Sequence, residues 1–508
     1  MVNSAFLLLS LLPAVCIAQT VDIPLTRRAK TLTLQNHFAA ADRARARYGF
    51  PTTKSSVAGR RLQRRASSQG FAIINEEADS SFLGTLSIGT PAQTFNVVLD
   101  TGSSDLWTIT QECDDCSGIG NAFDTTKSSS FKQTSQQAIE IDYGSGAVQG
   151  FTATDTVTMG PFTVQDQTFL VAERLSDGII DGDVSGLIGL AFQGLAETQA
   201  VPFWQALINN GDLSSPEMSF FLERSTSDND EPGGVFTLGG TNSSLFSGSI
   251  EFHDLASTTG GPQYWMIPLS AVTVQGSSVS IAGGNSLLSA IDTGTTAMGG
   301  PSADVAAIWA AVPGSSALTQ GNQQTGYFQY PCSTNVKVTL SFGGQAWAID
   351  SNDINLGQVE EGSSMCAGAI FDLSLGASTD ANTPSWVIGD TFLKNTYTVF
   401  RQSPQAVGFA ALGSGGSDTS SSGGGSGSSS GGSNSPSSTG ASASTTPGLA
   451  SQLTSATKTF ATPSIPAHST VTTTDSVPAG PTSSGAGMVE VSMGLLLSTL
   501  ISALAMAL

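Results

Sequence analysis

The chain has 508 residues, enough for two or three domains, with only 12% of them charged. Abundant Gly, Ser, Thr and Val favour an all-β body with many turns over a helical one. The net charge of −21 is uneven: residues 1–65 balance at +9 and the remainder at −30, which argues against nucleic acid or an anionic membrane as partner of the main body.

In chain order, "AFLLLSLLPAVCIA" comes first, a short apolar run ending at Ala18. It reads as a secretory signal peptide over 1–18, although no Lys or Arg precedes it. Its removal takes Cys16 and leaves four cysteines, an even set suited to an oxidising compartment. Local pairing is expected, Cys113 with Cys116 and Cys332 with Cys366. A zinc or redox reading of "CDDC" has no second CxxC or His cluster beside it.

Residues 19–65 are basic, with helix-friendly pieces such as "ADRARARYGF", and end at the dibasic pair Arg64 and Arg65. A basic front on an acidic body suggests a segment that binds that body and is cut at the pair; a solvated arm is the alternative. From 71 to 412 the chain is short β-prone runs punctuated by Gly, Asn, Asp and Ser, among them "TFNVVLD", "AVQGFTATDTVTM" and "VKVTLSF". Only "VPFWQALINNG" and "PSADVAAIWAAV" carry helical spacing. Residues 413–485 are almost wholly Ser, Gly, Thr, Ala and Pro, too poor in bulky apolar residues to offset ordering entropy, and read as a disordered stalk. The apolar end, 486–508, is too short to span a bilayer and follows the small residues Ser483, Ser484 and Gly485. That pattern matches a GPI-attachment signal, with a short tail anchor as the alternative. Asn242, in "NSS", is an N-glycosylation sequon.

Two stretches carry the chemistry. "NVVLDTGSSDLW" sets Asp100 at the end of an apolar run, and "SAIDTGTTA" does the same for Asp292. Each is followed by an apolar–apolar–Gly triplet, "LIG" at 187–189 and "VIG" at 387–389. A duplicated unit of this size implies two similar β lobes, each offering one aspartate to their junction.

With "IDYGSG", "SGLIGLAF" and "VIGDTFLKNTYTVF" in the same order, residues 71–412 resemble the pepsin-like aspartic proteases, the fungal GPI-anchored, yapsin-like group included. The resemblance implies an all-β, bilobal fold, with lobes at 66–259 and 260–412 and a substrate cleft between them. It implies a dyad, Asp100 and Asp292, sharing one proton and activating water against a peptide bond; this family is a standard example of such a pair. Ser103 and Thr295 would bond the outer carboxylate oxygens, Thr101 and Thr293 would tie the loops together, and Gly102 and Gly294 would admit close backbone approach. Tyr143, with Gly144 and Gly146, would form a flap oriented by Trp107. Ser145 stands where some fungal relatives carry an acid, which points to an apolar preference. "ARYG" at 46–49 resembles the family's Lys–Tyr pair that covers the dyad, with Arg47 in place of Lys.

Three histidines, His37, His253 and His468, leave a Ser–His–Asp, Cys–His or zinc hydrolase short of imidazoles, and His253 reads as an incidental strand residue. A two-acid glycosidase would leave the duplicated loops unexplained. The expectation is a secreted, GPI-anchored aspartic endopeptidase, monomeric, needing no metal or organic cofactor. Its partners would be polypeptide substrates, its own propeptide, and a membrane met through lipid. A catalytically silent surface protein on the same fold is the competing class.

Overall fold

The computed structural model describes residues 20–29, 33–53, 79–143, 146–176, 179–180, 182–224, 231–281, 287–321, 323–378 and 383–413. The expected signal peptide, Arg64 and Arg65, Gly144 and Ser145 at the hairpin tip, the stalk beyond 413 and Ser483, Ser484 and Gly485 lie outside these residues.

Among the described residues strands dominate, in one 14-stranded sheet and three smaller sheets of five, four and four strands. The duplication seen in the sequence is a duplication of strand pairing. Strand Gln93–Asp100 runs parallel to Gly186–Gly189, with Asp100 opposite Gly189, and Leu106–Ile109 pairs antiparallel with the same partner. Leu288–Ile291 likewise runs parallel to Trp386–Ile388, and Met298–Gly300 pairs antiparallel with it. Each apolar–apolar–Gly triplet thus lies between the strand before an aspartate and the strand after its turn. Runs buried on both faces suit this position, because a central strand has no solvent face to alternate towards. The structure is a bilobal all-β fold of the pepsin type.

The two expected helices form as α2, Phe203–Asn210, and α3, Ser302–Ala310, each preceded by a proline, and α2 stops at Gly211 in a left-handed conformation. Two single-turn helices, Ser351–Ile354 (α4) and Asp390–Leu393 (α5), complete the C-terminal half.

The basic front forms a strand and a helix. Strand Val21–Ala29 inserts into the large sheet between Glu231–Leu238 and Asp79–Ile88. Helix α1, Leu34–Arg47, opens with a capping box between Thr33 and Asn36 and contains no β-branched residue. Its buried residues, His37, Phe38, Ala41, Asp42, Ala44 and Arg45, fall on one stripe. Phe38, Ala41, Ala44, Tyr48 and Phe50 join a core with Tyr327, Phe371 and Val387. The docking is therefore more apolar than a basic composition suggests. Arg45 is wholly buried, its charge met by Asp42 at 2.6 Å and by the carbonyls of Asp372 and Thr325.

Both expected disulfides are present, Cys113–Cys116 and Cys332–Cys366. The second ties the end of strand Gln323–Pro331 to Met365–Gly368 across a separation of 34 residues. Replacing Cys332 and Cys366 together by Ser should destabilise the fold by about 3–4 kcal/mol on loop-entropy grounds. Thermal unfolding of the oxidised and double-mutant proteins measures this, and the Cys113, Cys116 pair, closing a far shorter loop, should matter less.

Candidate active site

Asp100 ends its strand and Asp292 follows Ile291 directly, so the equivalent pairings of the two halves bring both carboxylates to one place, each with no exposed surface. Burial of a charged carboxylate is costly unless donors meet it. Each receives two bonds from its own turn. Gly102 N donates to Asp100 Oδ1 at 2.9 Å and Ser103 Oγ to Oδ2 at 2.6 Å. Gly294 N donates to Asp292 Oδ1 at 2.8 Å and Thr295 Oγ1 to Oδ2 at 2.6 Å.

The threonines between them cross-link the loops. Thr101 Oγ1 accepts from Thr293 N and donates to Ile291 O; Thr293 Oγ1 accepts from Thr101 N and donates to Leu99 O, all at 2.7–3.1 Å. Each hydroxyl both donates and accepts across the junction, so neither loop can shift without breaking bonds to the other. The glycines act across the junction. A Cβ on Gly102 would lie 2.6 Å from the Asp292 carboxylate, and one on Gly294 would meet Asp100 Oδ1. Each thus makes room for the opposite carboxylate, not only for its own.

Tyr143 directly follows the last paired residue of the hairpin formed by Ile139–Asp142 and Ala147–Met159, its N donating to Gly146 O at 2.9 Å. Trp107 Nε1 donates to Tyr143 Oη at 2.9 Å and fixes the phenol at the site. Burial pushes the Tyr143 hydroxyl well above its ordinary range, with Asp105 and Asp100 adding to it, so it stays protonated.

Arg47, the last residue of α1, and Tyr48, its C-cap, reach the carboxylates. Arg47 Nη1 lies 3.0 Å from Asp100 Oδ1 and 3.2 Å from Asp292 Oδ2, and Nη2 lies 3.0 Å from Asp100 Oδ2. Tyr48 Oη donates to Asp292 Oδ2 at 2.9 Å. The guanidinium thus bridges both acids where the sequence pattern left the Arg-for-Lys contact open. Burial raises the Asp100 pKa to about 6; Arg47 pulls it down, Asp292 pushes it up, and the Ser103 and Gly102 bonds pull it down. Burial pulls the Arg47 guanidinium down, but Asp100 and Asp292 outweigh it and hold it charged.

Beside the dyad a cavity of about 110 Å³ remains, whose lining includes Val98, Ile179, Ile180 and Leu187 as well as Ala40 and Ala44 of α1. Tyr264 packs its ring 5.0 Å from that of Tyr48 and has its hydroxyl pushed up to about 12 by burial, against the pull of Arg47. Sequence reasoning missed Tyr264, Ile180 and Leu187 as site residues, since a single aromatic or aliphatic residue among many carries no periodic signal. His253 lies in strand Phe246–Asp254 beside the rings of Phe342 and Phe409. Asn242 sits in a turn, its Nδ2 donating to Asp22 Oδ2 at 2.5 Å. No cluster of three or more His, Cys, Asp or Glu fit to hold a metal occurs among the described residues.

The arrangement can share a proton between two carboxylates and offers two hydroxyl-buttressed oxygens to a bridging water. Residues 81–412 match the family model described as eukaryotic aspartyl protease. The chain is 44% identical over 353 residues to major aspartyl peptidase 1 of Cryptococcus neoformans var. grubii, covering 68% of this chain and 71% of that one. It is 31% identical over 360 residues to an aspartic protease of Phaffia rhodozyma, covering 70% and 82%. Against cathepsin D of Bos taurus the identity is 29% over 354 residues, covering 66% and 86%.

Gly102→Ala, which drives a methyl into the opposite carboxylate, should lower kcat/KM by roughly 100-fold, as misplacement of reacting groups by about 1 Å does. Steady-state kinetics on the folded variant measures it.

Proposed function

The chain belongs to the eukaryotic aspartyl protease family and is an aspartic endopeptidase, and from that premise we propose a secreted, GPI-anchored enzyme acting at acid pH and made as a precursor blocked by residues 19–65. The observation that carries the precursor reading is the seating of Arg47 and Tyr48 on both carboxylates. They take the oxygens that a catalytic water needs, so hydrolysis requires that they leave. With the cleft open, one proton is shared by Asp100 and Asp292. The ionised partner takes a proton from the water as its oxygen attacks the peptide carbonyl. The protonated partner donates to the developing oxyanion, and the pair then protonates the leaving amine. Tyr143, held by Trp107, closes over the bound peptide. The aliphatic lining of Val98, Ile180 and Leu187 favours a large apolar residue beside the scissile bond.

Secretion and anchoring rest on the apolar start, the two disulfides, the Ser-rich stalk and the small-residue site before the apolar end. In that setting Asn242 would carry an N-linked glycan.

Release of the segment is coupled to pH through its docking contacts. Arg47 lowers the Asp100 pKa, so its ion pair favours docking at high pH and is lost as Asp100 gains its proton. His37 is buried with Nε2 unpartnered, and burial, helped by Arg43, lowers it from 6.5 to about 4. A lowered imidazole pKa favours docking fully above pH 6.5 and loses that contribution as pH falls to about 4, worth roughly 3 kcal/mol at most.

Asp292→Asn should abolish pepstatin-sensitive cleavage of a denatured protein at acid pH; persisting cleavage would sink the dyad. Cleavage of a peptide library should show depletion of Asp, Glu and Lys next to the cut. For the precursor, the rate of prosegment loss should rise between pH 6.5 and 4. His37→Phe should move that transition to lower pH by about half a unit or more, since one of the titrations that weaken docking is gone.

A further inference from the structure

The chain that leaves each apolar–apolar–Gly triplet backs one half of the dyad, and the two halves are held by different chemistry. On the Asp100 side, Leu190 N donates to Asp100 O at 2.7 Å and Ala191 N to Ser103 O at 2.8 Å. The carbonyls of these same two residues accept from indoles, Trp265 Nε1 at 2.9 Å and Trp204 Nε1 at 3.0 Å. On the Asp292 side, Asp390 N donates to Thr295 O at 2.8 Å, and Thr391 donates to Thr296 O through its N at 2.9 Å and its Oγ1 at 3.0 Å. Here Thr391 O accepts from Asn395 Nδ2 at 2.9 Å. The same amide donates to Asp353 Oδ2 at 2.8 Å, and Asn395 Oδ1 accepts from Asp350 N and Arg224 Nη2.

Asp353, on α4, is buried and is the hub of this second anchor. Lys394 Nζ, directly after α5, lies 3.0 Å from its Oδ1, and Arg224 Nη2, after strand Glu217–Leu222, lies 2.8 Å from its Oδ2. The groups facing Asp353 are thus two cations and the neutral amide of Asn395, while Asp350 turns its carboxylate to Asn352 N. Burial pushes the Asp353 carboxyl up, but Lys394 and Arg224 outweigh it and hold it below the usual range. A lowered carboxyl pKa keeps its contribution down through the acid range in which an ordinary aspartate protonates.

We propose that Asp353 is a positioning residue for Asp292: its ion cluster with Lys394 and Arg224, acting through Asn395 and α5, holds the Thr295–Thr296 carbonyls and so the orientation of the carboxylate that Thr295 buttresses. The inference rests on the dyad reading. It makes the Asp292 half of the site electrostatically anchored, in contrast to the indole-anchored Asp100 half.

The test uses the full chain, expressed and processed, with active sites counted by pepstatin titration. Asp353→Asn should lower kcat per titrated site about tenfold near pH 5 with KM within about twofold. The deficit should narrow at the lowest pH, where the wild-type carboxyl gains its own proton. Asn395→Ala, which leaves the Asp353–Lys394 pair in place, should give the same split between kcat and KM, and it serves if Asp353→Asn is not secreted. Fewer titratable sites or a lower Tm with unchanged kcat per site would mean a structural role only and overturn the proposal. Asp292→Asn separates the two readings: activity retained there would sink the dyad itself, whatever the Asp353 result.

Discussion

Two aspartates buried at one junction set the terms for everything around them. Like charges so placed resist ionising together, and each carboxylate in a site without exposed surface needs donors from the protein. The turn after each aspartate supplies one backbone N–H and one hydroxyl, and the threonine of each turn is bonded to the other. Exchange of these bonds works only if the two turns meet face to face across a two-fold arrangement. The paired strands, the triplets and the glycines facing the opposite carboxylate all serve that meeting.

The symmetry of the junction is not carried outward. Behind Asp100 stand Phe192, Trp204 and Trp265, with ring centroids 4.4–5.6 Å apart, and two indole N–H groups cap backbone carbonyls. Behind Asp292 the corresponding place is taken by the Asp353 cluster. An aromatic anchor draws on burial and is indifferent to pH, whereas an ionic one depends on the charge of a carboxylate. Two basic partners for a single acid make that charge resistant to acid.

The N-terminal segment shows how composition can mislead about energetics. Its eleven basic residues suggest a general electrostatic attraction to an acidic body. What docks is an apolar stripe, Phe38, Ala41, Ala44, Tyr48 and Phe50, with arginines in particular places. Arg45 is neutralised within its own helix by Asp42 and bonded to two carbonyls, and among the described arginines only Arg47 meets the carboxylates of the dyad. Each role needs a defined length of chain between helix and cleft, which a count of charges does not contain.

By itself the sequence determined the all-β character, the two helices α2 and α3, the duplication and the two aspartates, while its resemblance to a known family supplied the supporting residues of each turn. These were legible because each is written locally: a turn after an apolar strand, repeated at similar intervals, or a 3.6-residue stripe between Pro and Gly. The tertiary structure alone decided that Gly102 and Gly294 face the opposite carboxylates, that Arg47 bridges both, that Tyr264 adjoins Tyr48, and that Asp353 stands behind Asp292. Such facts depend on residues 53 to 245 positions apart meeting in space. No local pattern records a contact whose partners are brought together only by the closing of two lobes.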